Sequence, residues 1–491
     1  MLIPIDPPPG QYRNGTALQS MGRWRDASLV RFYQGTVRPV GGWQAFSQDV
    51  LTQPGRKLHA WRANDGTQWL AVASADEIYV YDAEGVQTEI TPAGLTAGRE
   101  VAFLANGYGG GLYGAGRFGN DTTSPSRVLP ATLQSMTNFG QELIACSDID
   151  GRIFKWALNT ASPLALIANA PTGNLSICVT QERFLFALGA GGNARKVQWC
   201  DREDYDTWTP SATNEAGDFA LNTVGEIKCG IPLRGQTLIL TDHDAHVANY
   251  VNAPLVYEFE RAGSSCGVVT RNAAEAVGNA VFWMGFGGFF TYQGGQVAEL
   301  PCEVSDYVFG RVSRALQSHI AAVQVSEFSE IWWFYPSEGA AENDSYVAYN
   351  YVQGTWQTGS LSRTAGVDRG VFFSPLMIGG DFTVYGHEDG TVPAGNAVYA
   401  ETGPIAIGTG EQTFTARRVY TDEATQGGVK FTFKTKRHPN GPETVSPPYS
   451  PENPMGVRFT GRQMVMRVDG NEGEDWRVGV QRVEVAPRGR R

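Results

Sequence analysis

A unit of strand, glycine-containing turn and strand recurs along most of this chain, and it constrains the fold more than any other feature. The second strands of these units begin near residues 78, 153, 197, 246, 289, 346 and 382. Most intervals lie near the about 40 to 50 residues that one four-stranded propeller blade occupies. The first interval is nearly double, which predicts a degenerate or expanded blade around residues 95–130. The expectation is an all-β chain whose main body is a β-propeller of six to eight blades. Radial repetition also protects the strand edges that a pair of sandwiches would leave open.

The clearest unit is Leu143 to Cys146, then Asp148, Ile149, Asp150 and Gly151, then Ile153 to Trp156. Asp-Gly tolerates the left-handed backbone of a tight reversal. Phe184 to Leu188 is predicted to pair with Val197 to Cys200 across Gly189 to Asn193. Ahead of the first blade, Leu29 to Tyr33 and Val37 to Val40 form a hairpin about Gln34-Gly35, and an early strand is expected to close the ring on the last blade. One helix is predicted to open at Ser305, with Val308, Val312, Ala315 and Leu316 on one face.

After residue 400 the pattern becomes one of longer alternating strands: Phe414 to Tyr420, Val429 to Lys436, Val457 to Thr460, Gln463 to Val468 and Val478 to Val485. That grammar predicts a C-terminal antiparallel β-sandwich with its own core. The resulting division is an N-terminal arm and hairpin over 1–50, a propeller over 51–400 and a sandwich over 401–491.

Composition agrees with many short strands: 59 Gly, 26 Pro and 11% aromatic residues in 491. Net charge is −11, but residues from 411 onward hold 14 basic against 10 acidic side chains, while the first 410 hold 25 against 40. An acidic body argues against broad neutralisation of nucleic-acid phosphates. The start MLIPIDPPPG lacks the charged and apolar regions of a secretory signal, and the longest apolar run, Ala280 to Phe290, is glycine-interrupted and too short to span a bilayer. Six cysteines (146, 178, 200, 229, 266, 302) without a CxxC pair read as core thiols.

Few residues offer chemistry. Gly109, Gly111 and Gly114 satisfy GxGxxG, but the following Arg117 to Pro125 cannot open the helix that a dinucleotide site needs, so a glycine loop is expected. Asp242, His243, Asp244 and His246 are the densest candidate ligands; on a strand, 242, 244 and 246 would share a face, yet a polar turn has the same composition. Glu203, Asp204 and Asp206 beside Tyr205 and Trp208 suggest either a glycosidase carboxylate pair or an acidic turn, the latter being the default. Trp332 to Tyr335 and Trp283 to Phe290 suit either ligand stacking or burial between blades, with burial preferred. Arg488, Arg490 and Arg491 end the chain in a basic tail. No catalytic, cofactor-binding or metal residue is assigned, and the chain is not expected to be an enzyme.

The stretch Val197 to Trp208, followed by Asn214 to Leu221, resembles bacteriophage tail proteins of the tail nozzle or packaged-DNA stabilisation class, with Cys200 where those usually carry Ser. Cys266-Gly267, Val281 to Tyr292, Leu300 to Val304, Asp306 to Phe309, Arg437 to Thr444, Gly461 to Gln463 and Asp475 to Gly479 look like the same group. The resemblance implies a virion protein, assembled in the host cytoplasm. It implies a homo-oligomeric ring, typically a hexamer, below the portal and adaptor, retaining packaged double-stranded DNA and conducting it during ejection. Portal, adaptor and other tail proteins are the expected partners, with contact to the host surface also open. The alternatives are a glycan-binding or glycan-degrading propeller at the tail tip, or a tip or hub component of a long tail.

Overall fold

The protein is described from a computed structural model covering residues 1–105, 127–406, 412–470 and 473–488. It is an all-β propeller. Among the described residues seven four-stranded antiparallel sheets follow one another as blades over 57–89, 134–166, 176–220, 227–264, 274–300, 321–360 and 363–387. The seventh has only three strands of its own. Its fourth is Trp43–Ala45, which pairs Trp43, Gln44 and Ala45 with His387, Gly386 and Tyr385.

First strands touch between blades 1 and 2, 2 and 3, 3 and 4, 5 and 6, and 6 and 7, and Arg363–Val367 of blade 7 touches Lys57–Arg62 of blade 1. First strands therefore line the axis and the ring closes between blades 7 and 1. The seven second strands of the sequence period are the third strands of the seven blades. The double-length first interval contains no further four-stranded sheet among the described residues. It is an insertion carrying the pair Phe103–Ala105 and Arg127–Leu129, and the GxGxxG glycines lie outside the described residues.

Turn chemistry sets the local geometry. Gly151 has φ +70°, and a Cβ there would come within 2.7 Å of Gly173 backbone, so both the turn and the blade 2–3 approach require glycine. The predicted pairing of strand Leu185–Leu188 with Lys196–Trp199 holds, with Leu188 opposite Val197 and Phe186 opposite Trp199.

Residues 1–50 do not form a separate arm. Leu2–Ile5 joins Gln481–Arg488, Thr413–Thr421 and Met455–Gly461 in one sheet. Trp24–Ser28 joins Tyr399–Thr402, Gln463–Gly470, Val429–Lys436 and Thr444–Val445 in another. The hairpin Val30–Tyr33 with Thr36–Pro39 lies between these and the closing strand. The two sheets share a core of Phe414, Val419, Phe459 and Val483 from one and Phe431, Phe433, Met464 and Met466 from the other. That core continues into Trp332, Phe334 and Tyr346 of blade 6, so this two-sheet domain is seated on the propeller.

The helix is shorter than expected. It covers Ser305–Phe309 and ends at Gly310. Val312 then bridges to Ser337, and Leu316 turns away to pack on Ala102 and Ala131 beneath the insertion. Tertiary anchoring of Val312 and Leu316 at separate sites overrides the helical spacing. Among the described residues no helix is long and apolar enough to cross a membrane.

Candidate functional site

Two places combine an open cavity with concentrated charge: the axial mouth of the propeller and a groove in the two-sheet domain.

The mouth lies where the first strands begin. A cavity of about 580 Å³ is lined by Arg99, Lys228, Arg271 and Arg314 together with Asp148 and Glu226. Arg271 pairs with Asp148 at 3.2 Å and Lys228 with Glu226 at 3.3 Å. Burial pushes the Asp148 carboxyl up, while the charges of Arg271, Arg99 and Lys228 pull it back.

Beside the cavity, fully buried Arg56 chelates Glu342 at 2.7 and 2.8 Å. The Ala102 amide donates to His319 Nε2 at 3.0 Å, leaving Nδ1–H to donate to Glu342 at 3.1 Å. Burial alone would raise the Glu342 carboxyl, but His319 and Arg56 outweigh it and hold it at about 2. The Ala131 amide also donates to Ser318 Oγ at 3.0 Å. Ala102 and Ala131 belong to the insertion between blades 1 and 2, whereas Ser318 and His319 connect blades 5 and 6 across the ring. The insertion therefore bridges this mouth of the axis.

Within the axis, burial pushes the His59 imidazole down to about 4 against the opposing hydrogen bond to Asn138. Burial pushes Glu275 up to about 7, opposed by Lys57. The two act in opposite senses on stability. Below pH 6.5 the unfolded chain takes a His59 proton that the folded state refuses, so stability falls as pH drops from 6.5 to about 4. Glu275 instead loses stability as pH rises from 4.5 to about 7. Replacing His59 by Asn isolates the first effect: the stability difference between pH 7 and pH 4.5 is expected to change by about 1–2 kcal/mol, after allowance for water in the axis. Denaturant unfolding of both proteins at both pH values measures it; an unchanged difference contradicts the assignment.

The groove has a volume of about 810 Å³ and is lined by Lys436, Arg437, His438 and Arg458, with Pro442, Val445 and Pro447, and by no acidic side chain. Lys436 reaches Glu443 at 3.3 Å. Arg437 and Arg458 make no ion pair among the described residues. Arg458 also stands on the solvent face of the adjoining sheet, where Arg417, Arg418, Arg482 and Arg488 are exposed and Arg418 approaches Glu484 only to 3.9 Å. The tail residues Arg490 and Arg491 lie outside the described residues.

The remaining sequence candidates take structural places. Strand Asp244–Asn252 begins after Asp242, so the three-ligand face does not form. Asp242 accepts the Glu226 amide at 2.9 Å, while buried Asp244 accepts the Thr223 and Thr241 hydroxyls at 2.7 and 2.6 Å. His246 Nε2 stands 3.2 Å from Asp244. No group of three metal-binding side chains occurs among the described residues.

Asp204 accepts the Asp206 amide at 2.9 Å and the Thr207 hydroxyl at 2.8 Å, closing the acidic turn. Tyr205 donates to Glu142 at 2.6 Å and Trp208 Nε1 to the Tyr205 carbonyl at 2.6 Å, with Trp208 buried against Cys200. These bonds account for the aromatic and acidic residues at this spacing.

The tryptophan runs are core. Trp332 and Phe334 face the two-sheet domain and Trp333 and Tyr335 face blade 5, as strand alternation requires. Trp283 and Trp333 Nε1 donate to the Cys266 and Ala273 carbonyls at 2.7 and 3.0 Å. All six cysteines are free; burial pushes the Cys146, Cys200, Cys229 and Cys302 thiols up to about 12. Sequence spacing missed the axial mouth and the basic groove, since each gathers residues from several distant segments.

No protein-family model matches the chain, and no curated protein matches it. Among solved structures it is similar to a streptogramin B lyase, at 11% identity and TM-score 0.41, covering 70% of this chain and 96% of that one. It is also similar to the β-propeller domain of Myceliophteria thermophila Cps50 (Swd1), at 8% identity and TM-score 0.42, covering 71% and 99%. The Neurospora crassa Pan2 WD40 domain matches at 8% identity and TM-score 0.39, covering 72% and 96%.

Proposed function

We propose that this chain is a non-enzymatic structural subunit of a bacteriophage tail, forming a nozzle-type ring that retains packaged DNA and conducts it during ejection. The observation that carries the reading is the division of charge between an acidic propeller and a two-sheet domain with a basic groove and a basic sheet face. A wall of net negative charge favours sliding of a duplex, because it opposes retention of the phosphates. A basic handle with an acidic body equips each copy to associate with others of its kind.

The conduit lies between copies, since the insertion bridges one mouth of the propeller's own axis. Candidate chemical residues are spent on turns and core, which leaves the charged surfaces as the prominent functional features. The expected result is a closed ring of the purified chain by electron microscopy, alone or with portal and adaptor, together with its detection in purified virions. A chain that remains monomeric with those components, or is absent from virions, overturns the reading.

A further inference from the structure

Copies that form a ring need two different surfaces that fit each other, placed on different sides of the subunit. The basic groove supplies one. Arg437 and Arg458 are exposed and lack ion pairs among the described residues, and Val445, 56% exposed, adds an apolar wall. The two-sheet domain that carries the groove sits on blades 6 and 7. Gln11 donates its amide to Trp356 of blade 6 at 2.8 Å, the Leu29 amide donates to Tyr346 at 2.9 Å, and Arg31 grips Glu330 of blade 6 and Glu388 after blade 7.

Blade 3 lies across the seven-membered ring from that attachment. Its last two strands are joined through the acidic turn at residues 201–206, where Glu203, Asp204 and Asp206 are exposed. Asp206 makes no ion pair among the described residues, and Glu203 reaches Arg183 only at 3.6 Å. The turn is shaped from within by Asp201, which accepts the Glu215 amide at 2.8 Å, and by the Asp204 bonds described above. It therefore presents its carboxylates from a fixed loop. Down the last strand from the turn, opposite Val197, Phe219 is 44% exposed and stacks on Phe259 of blade 4 with ring centroids 4.8 Å apart. The turn thus presents a charge pattern complementary to the groove.

We propose that the groove between Arg437 and Arg458 receives the acidic turn Asp201–Asp206 of a second copy, so that copies pack head to tail. This rests on the ring reading above and names the surfaces that would make it. A heterologous contact between opposite sides of one subunit repeats around a ring when its rotation closes. Exposed ion pairs are individually weak and screened by salt, so the contact assembles fastest at low ionic strength and depends on several charges acting together. Duplex DNA is the weaker occupant, because the net charge of −11 on the chain repels it beyond the basic groove and sheet face.

The test uses the full chain in sedimentation velocity at low and high salt, with circular dichroism to verify folding. R437E/R458E and E203K/D206K are each expected to weaken self-association at least tenfold. The quadruple variant, carrying both reversals in one chain, is expected to regain association to within about threefold, since opposite charges again meet. Loss in both pairs without recovery in the quadruple variant overturns the proposed pairing, as does undiminished assembly of either pair. Retention of a 30-mer DNA duplex by the wild type that R437E/R458E abolishes, with self-association intact, also overturns it in favour of phosphate binding. A wild-type chain that never self-associates, even with portal and adaptor, instead fails the ring reading itself.

Discussion

Replacing Arg31 by Ala is expected to cost about 3–5 kcal/mol of stability, because it strands two buried carboxylates. The Arg31 side chain is 1% exposed, Glu330 3% and Glu388 9%. The guanidinium binds Glu388 at 2.6 and 2.8 Å and Glu330 at 3.3 Å, with the Phe328 ring 3.6 Å from its carbon. Trp332 Nε1 and Gln357 Nε2 also donate to Glu330, and the Gly41 amide donates to Glu388. Burial pushes Glu330 up while Arg31 pulls it down, so removing Arg31 leaves burial unopposed and drives that carboxyl towards its neutral form. The triple change R31M/E330Q/E388Q removes the charges together and is expected to recover more than half of the loss. Denaturant unfolding of both variants measures the effect; a loss below about 1 kcal/mol in R31A means that the network does not hold hairpin to propeller.

Deleting residues 1–45 is expected to have the larger consequence. It removes Trp43–Ala45 from blade 7 and an edge strand from each sheet of the two-sheet domain. Three newly open strand edges would expose ladder groups, and the buried Trp24, 4% exposed, is lost from the core. The margin of a typical domain is about 5–15 kcal/mol, and losses at three sites exceed it. The expected outcome is an aggregating chain without a cooperative thermal transition. A soluble 46–491 chain that melts at the parent temperature shows instead that the ring closes without its terminal strand.

Much of the architecture was legible because a strand carries its information locally. The β-branched and aromatic runs and the glycines at the turns placed the third strands of the blades within two residues, and the alternation in Val429–Lys436 marked a strand of the two-sheet domain. Seven units were visible, and the blade count stayed open only because an insertion has no local mark that separates it from a blade. The spacing of Val308, Val312 and Leu316 misled for a related reason. Burial alone produces that spacing, but Val308 and Val312 pack in one core cluster, Leu316 packs apart from them on Ala102 and Ala131, and the helix stopped at Gly310.

The candidate sites divide the same way. Neighbouring polar residues such as Asp242 to His246 were conspicuous in sequence, yet local hydrogen bonds absorbed them into a turn and a strand end. The basic groove and the axial mouth were invisible because each combines residues far apart in the chain. Sequence by itself determined the all-β class, the repeat, the buried aromatic faces and the split in charge, since periodicity, turn chemistry and composition are local or additive. Only the tertiary structure decided that strands from the first 45 residues complete both the last blade and the two-sheet domain, and that an insertion crosses the axis. Those pairings join backbone hydrogen-bonding groups hundreds of residues apart, and neither partner's own sequence names the other.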